Sequence, residues 1–189
     1  MVCASVLPAQ DSSFNPAYPK REFKHGGKIT SEYKVEDGTG KTFVELEPVF
    51  IEHTEAENTS LRLSVIYEHE GKSPVKPEHI SLAFFTRYPE CKIPDRPEIT
   101  VSVDGEVLKF GFTFKSYREQ PPDENGVALS FSEMEGGRCN EVVAMFISQK
   151  NYLKVVNAHD VEVQIGKFKF KLKESDLEAM RDLASRMAL

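Results

Sequence analysis

The end of the chain most narrows what it can fold into. Val161, Val163 and Ile165 alternate with Glu162 and Gln164; Gly166-Lys167 follows; Phe168, Phe170 and Leu172 then alternate with Lys167, Lys169, Lys171 and Lys173. A period of two puts the apolar side chains on one face of a pleated ribbon. A two-residue loop at Gly166-Lys167 sets Ile165 opposite Phe168, Val163 opposite Phe170 and Val161 opposite Leu172. Glycine at the first loop position suits a type II′ turn. On the other face Glu162 meets Lys171, an opposite-charge pair worth ~0.2–1 kcal/mol. The alternating lysines read as a solvated face that discourages edge pairing rather than as a stripe for nucleic acid. Directly afterwards, Ser175-Asp176-Leu177-Glu178 matches the S-x-x-E capping box, and Leu177, Met180, Leu183, Ala184 and Met187 form one stripe at helical spacing. A terminal amphipathic helix is therefore expected from Ser175, covering the chain's own sheet.

Strands with turn chemistry between them fill most of the remainder. Lys28 to Lys34 is a short candidate, Asp37-Gly38-Thr39-Gly40 a turn, and Thr42 to Ile51 an extended run in which Pro48 marks an edge or a bulge. Leu61, Leu63, Val65 and Tyr67 alternate with Arg62, Ser64 and Ile66, Gly71 to Pro77 is a loop, and Ile80, Leu82 and Phe84 head the next strand. Asp104-Gly105 is a strong type I′ signal that sets Val101 opposite Leu108 and Ile99 opposite Phe110, with Phe112 and Phe114 extending that face. Glu119 to Gly126 is a polar loop, and Val127, Leu129 and Phe131 alternate again. Val142 to Ile147 is continuously apolar, which predicts a central strand covered on both faces. Ser148 can cap a helix whose inner face is Tyr152, Leu153 and Val156 and which ends at Asn157-Ala158-His159. The fold expected is mainly β: an antiparallel β-sandwich or curved sheet of about ten strands, with two late helices.

A chain of 189 residues, 40% hydrophobic, is long enough for one domain with a core of its own. The expected division is a tail or residual signal segment over residues 1–27 and a single β-rich domain over 28–189. Net charge is −6, which argues against general affinity for nucleic acid or an anionic membrane. No apolar run approaches the ~18 residues of a membrane helix. The first ten residues, Met1 to Gln10, are small and apolar, and turn polar at Asp11-Ser12-Ser13, like the end of a secretory signal without its charged start. With Cys3 set aside in that segment, Cys91 and Cys139 remain as candidates for one disulfide; two unrelated free thiols are the other reading.

The sequence offers little chemistry. His25, His53, His69, His79 and His159 stand at no metal-ligand spacing, and no nucleophile elbow, phosphate loop or dinucleotide fingerprint is present. His53, His69 and His79 lie near strand ends and would form a site only if the fold gathered them. Gly136-Gly137-Arg138 is a candidate anion-binding loop, since glycines let backbone amides converge and the arginine adds charge. Glu45, Glu47, Glu52, Glu55 and Glu57 are an acidic edge rather than a recognisable catalytic pair. Tyr67, Tyr88 and Tyr117 are placed at sheet margins with their hydroxyls in water. Asn58-Thr59-Ser60 fits the glycosylation sequon. No catalytic residue, cofactor or metal is assigned.

Several segments carry a resemblance: Val101-Ser102-Val103-Asp104-Gly105-Glu106-Val107-Leu108, the helix after Val142-Val143-Ala144-Met145-Phe146-Ile147, Val155-Val156-Asn157-Ala158-His159-Asp160-Val161-Glu162, and the ending from Leu177 to Met187. Together they resemble an uncharacterised β-rich domain of exported bacterial proteins, over about residues 40 to 187. The shared features are scaffold features, and the resemblance implies export, periplasmic or extracellular, without implying an activity. The expectation is a non-enzymatic exported or envelope-associated binding module, its partner another protein or an envelope component. Two alternatives stand beside it: a hydrolase-like enzyme with strand-end carboxylates or a site around Cys139, and a cytosolic accessory subunit docking through its terminal helix.

Overall fold

The computed structural model describes residues 22–36, 38–73, 75–93, 97–112 and 127–188, with the backbone alone at 36, 109–112 and 127–132. Ten strands and two helices follow in order: β1 (Ile29–Glu36), β2 (Thr39–Thr54), β3 (Thr59–Glu70), β4 (Ile80–Tyr88), β5 (Ile99–Val103), β6 (Glu106–Phe112), β7 (Val127–Glu135), β8 (Arg138–Ile147), α1 (Gln149–Asn157), β9 (Val161–Ile165), β10 (Phe168–Lys171) and α2 (Glu174–Ser185). The strands lie in the order β1-β2-β3-β4-β8-β7-β6-β5-β9-β10. Two antiparallel sheets are joined in that order by a short parallel pairing of β6 with β7, at Gly111–Val127 and Phe112–Ala128. The second sheet lies over the inner face of the first: Phe84 of β4 meets Phe170 of β10 edge-on at 5.2 Å, and Tyr88 meets Phe168 at 5.8 Å. This is the mainly β, folded-over architecture the strand pattern predicts.

Local chemistry accounts for the turns. Asp104 and Gly105 both have positive φ, 49° and 88°, as a type I′ turn requires, and β5 pairs with β6 in the expected register, Val101 with Leu108 and Ile99 with Phe110. At the β9–β10 turn Gly166 alone is left-handed, at φ 59°, which fits type II′. Ile165 pairs with Phe168 and Val163 with Phe170, and the Leu172 amide donates to the Val161 carbonyl at 3.0 Å. The expected irregularity at Pro48 is a register shift between Leu46 and Val49. Phe114, Tyr117 and the polar loop from Glu119 to Gly126 lie outside the described residues.

The inner core runs from Leu46, Leu63, Val65, Leu82, Phe84, Val143 and Met145 across to Val101, Val163 and Ile165. Both helices close it. Ser148 caps α1 by accepting from the Asn151 amide at 3.3 Å, while Tyr152, Val155 and Val156 face inward. The whole α2 stripe, Leu177, Met180, Leu183, Ala184 and Met187, is buried against its own domain. The Tyr152 hydroxyl donates to the Met180 carbonyl at 2.9 Å, tying the helices together.

Four details differ from the sequence reading. Helix α2 begins at Glu174, not after a Ser175 cap. The Asp176 carboxylate reaches back to accept from the Lys173 amide at 2.8 Å, and Glu178 pairs with Arg181 at 2.8 Å instead of closing a box. Strand β8 is central but covered on one face only: Val143, Met145 and Ile147 are buried, whereas Val142, Ala144 and Phe146 are half-buried. Tyr67 is a core residue whose hydroxyl donates to the Arg186 carbonyl at 3.2 Å, and burial pushes its phenol well above the ordinary range. Finally, His25, read as tail, docks on α2, with Nε2 3.1 Å from Asp182 Oδ2.

Candidate functional site

The disulfide reading is met. Cys139 opens the buried face of β8 opposite Tyr88, β4 ends there, and the chain turns back so that Cys91 and Cys139 bond with their Cα atoms 5.1 Å apart. Beside the bond lies a carboxylate the sequence reading passed over. Glu141 is 2% exposed on the inner face of β8. Its Oε2 accepts from the Thr86 hydroxyl and the Lys92 amide, each at 2.9 Å, and its Oε1 accepts from the Ile93 amide at 2.8 Å. Buried charge is tolerable only when hydrogen-bonded in this way. Burial first, then the charges of Glu52 and Glu141, raises the Tyr88 phenol above its ordinary value.

Among the described residues, Cys91, Cys139 and Glu141 form the one grouping of three ligand-bearing side chains with their atoms within 4.8 Å of one another. The sulfurs are committed to each other and the carboxylate oxygens to three donors. The cluster is thus a clasp holding residues 91–93 to the sheet.

Gly136 and Gly137 occupy the β7–β8 turn, with φ of 57° and 72° and Glu135 paired with Arg138. A type I′ turn requires two such residues, so the hairpin alone accounts for both glycines. Of the three strand-end histidines, two come together. His69 and His79 line a cleft of about 180 Å³ with Lys41, Glu68, Glu70 and Glu78. His53 stands apart, against the Phe50 ring at 4.7 Å. The named carboxylates also disperse: Glu45 accepts from Ser64, Glu47 pairs with Lys28 at 2.7 Å, and Glu52, Glu55 and Glu57 are exposed. A cleft of about 630 Å³ beside α1 has lysines and glutamates in its lining, and two of them, Lys154 and Glu106, already pair at 2.6 Å.

The outer face of the first sheet is the most distinctive surface. Register places Arg62, Phe85 and Val142 in one cross-strand row, Ser64, Ala83 and Ala144 in the next, and Ile66, Ser81 and Phe146 in the third. Phe50 of β2 extends the first row beside Arg62 and is 55% exposed. The large apolar side chains in these rows are half-buried or exposed, whereas their inner-face neighbours are fully buried. A groove of about 180 Å³ between Phe43, Ile66 and Phe146 leads through Glu68 and His79 into the histidine cleft. One guanidinium group, Arg62, stands in this apolar surface, and a second, Arg87, stands at its end, in the polar row of Ser60 and Asn140 and 3.9 Å from Glu135. Arg62 lies over the Phe85 ring at 5.7 Å, and Arg87 donates to Asn140 at 3.2 Å. The Nε atoms of both are buried without a hydrogen-bond partner among the described residues. Such donors are costly unless an acceptor approaches.

No protein-family model matches the chain, and no curated protein or solved structure matches it either.

Proposed function

We propose that the protein is a non-enzymatic binding module of an exported, oxidising location, and that it binds through the outer face of its first sheet. The observation that carries the reading is the second apolar face, Phe50, Ile66, Phe85, Val142 and Phe146, which the fold leaves half open. Large apolar side chains left half open on one side of a sheet favour a binding role. Arg62 within it favours an apolar partner segment that carries an acidic group, since guanidinium forks suit carboxylates. The Cys91–Cys139 disulfide supports the location, because such bonds persist where the surroundings are oxidising. The same bond leaves a thiol mechanism at Cys139 without its nucleophile. The stripe that suggested a docking helix is buried in the core, which leaves none of it for a partner.

Selection from a displayed random-peptide library tests the reading, run on the wild type and on Phe85→Ser/Phe146→Ser. Peptides rich in apolar and acidic residues that bind the wild type and not the variant are expected. Equal recovery on both, or none on either, would contradict the proposed face. Non-reducing peptide mapping of the protein from its host tests location: free thiols at Cys91 and Cys139 would argue against export.

A further inference from the structure

The two ends of the sheet are finished differently. Strand β10 is four residues long, and its exposed lysines are engaged, Lys169 with Glu162 at 2.7 Å and Lys171 with Asp160 at 2.8 Å. Strand β1 is eight residues long, regular throughout, and carries Tyr33 at 41% exposure and Val35 at 65%. A long edge with exposed apolar side chains is a template for another strand.

The backbone fixes which residues would pair. The Glu47 amide donates to the Lys28 carbonyl at 2.8 Å, one step beyond the Ile29–Leu46 pair of the same register. In an antiparallel ladder, hydrogen-bonded residues alternate. The even residues of β1 therefore bond to β2, and Ile29, Ser31, Tyr33 and Val35 turn their amides and carbonyls toward the open edge. Two copies of this edge can pair about a two-fold axis in several registers, and charge separates the three centred on or next to the exposed Tyr33. Centring on Glu32 sets Glu32 against its own copy, and centring on Lys34 sets Lys34 against its own copy. Centring on Tyr33 sets Glu32 against Lys34 twice, Tyr33 against Tyr33 and Ser31 against Val35. It also makes Tyr33 the reciprocal hydrogen-bonded pair that its outward backbone requires. Glu32 and Lys34 are already neighbours within one chain, at 3.1 Å, and both remain well exposed.

We propose that β1 pairs with β1 of a second copy, antiparallel and centred on Tyr33, so that two sheets join into one. The partner's chemistry is this strand's own: its alternating Glu32, Tyr33, Lys34 and Val35 are complementary to themselves in that register alone among the three.

Sedimentation velocity of the full chain over a concentration series tests this, with Cys3→Ser in every sample to remove the one cysteine outside the disulfide. A reversible dimer is expected. Glu32→Lys should weaken it roughly tenfold or more, because two attractive cross-strand pairs become repulsive; Glu32→Lys/Lys34→Glu should restore it. Both side chains are exposed, so circular dichroism melts should stay unchanged and show each variant folded. Tyr33→Pro removes an amide that is turned to the edge and bonds nothing in β2, and should abolish the dimer. A wild type that is monomeric throughout, a dimer indifferent to Glu32→Lys, or a double variant that is not restored would each overturn the proposal.

Discussion

Phe84 and Phe85 are neighbours in the chain and belong to two surfaces that the fold covers differently. Phe84 is fully buried on the inner face of β4, against Phe170 and the α2-capped core. Phe85 points the other way and lies half-buried beneath the Arg62 guanidinium. The inner face repeats the first pattern along β3, β4 and β8, and the outer face repeats the second. A one-sided sheet needs polar residues outside; here the outer rows hold Ile66, Ala83, Phe85, Val142, Ala144 and Phe146 beside only Arg62, Ser64 and Ser81. Stability resides in the inner face and the clasp at its end. The outer face is the surface proposed for contact.

The largest expected effect lies at the centre of the inner face. Phe84→Ala should cost ~3–5 kcal/mol, the range for deleting a buried ring, read from the urea midpoint. A loss below ~1 kcal/mol would mean that the two sheets do not share a packed core. Next is the clasp. Cys91→Ser/Cys139→Ser should cost ~2–4 kcal/mol, because the bond closes a loop across a separation of 48 residues. Glu141→Gln should cost ~1–3 kcal/mol, because an amide group replaces one oxygen that accepts from buried donors. The variant should also speed limited proteolysis between Cys91 and Glu98, where Lys92 and Ile93 lose their anchor; an unchanged cleavage rate would remove the clasp role.

How legible this was depends on the kind of interaction. Turns were legible because their chemistry is local: Asp104-Gly105 and Gly166-Lys167 set both registers without help from distant residues. The α2 stripe was legible for the same reason, but its cap was not. Ser175 satisfied a local pattern, yet the helix starts where the chain leaves β10, and Asp176 became the residue that reaches back. Glu141 carried a signal that went unread. It shares the parity of Cys139, Val143, Met145 and Ile147, so an alternating strand puts it on the buried side, where a carboxylate must find donors. The outer face was partly visible in the unbroken run from Val142 to Ile147, but a run of that kind does not say whether its second side is covered. The pairing of His69 with His79 across one cleft depends on tertiary geometry alone.

Smaller effects sharpen the contrast at the rim of the core. Burial is the largest influence on Asp176 and raises its carboxyl above the ordinary 3.8, against the Lys173 amide and charge and the Ser175 hydrogen bond. The folded chain then holds that proton more tightly than the unfolded one. Stability from this group is present below 3.8 and is lost as pH rises through the raised folded value. Asp176→Asn keeps an acceptor for the Lys173 amide and should remove that falling component, so that stability no longer declines with pH through this group. Urea midpoints across the window just above pH 3.8 check it; identical slopes in both proteins would mean that Asp176 is not held protonated by burial.

The most direct test of the two-faced account pairs a melt with a dye titration. Phe85→Ser/Phe146→Ser should leave the melting temperature within a few degrees of wild type, roughly the shift of ~1 kcal/mol or less. The native protein should bind an apolar sulfonate dye such as anilinonaphthalene sulfonate, whose ring suits the open rows and whose anion suits Arg62, and the variant should not. A native protein that leaves the dye dark, or a variant that melts as early as Phe84→Ala, would show the outer face to be ordinary covered core.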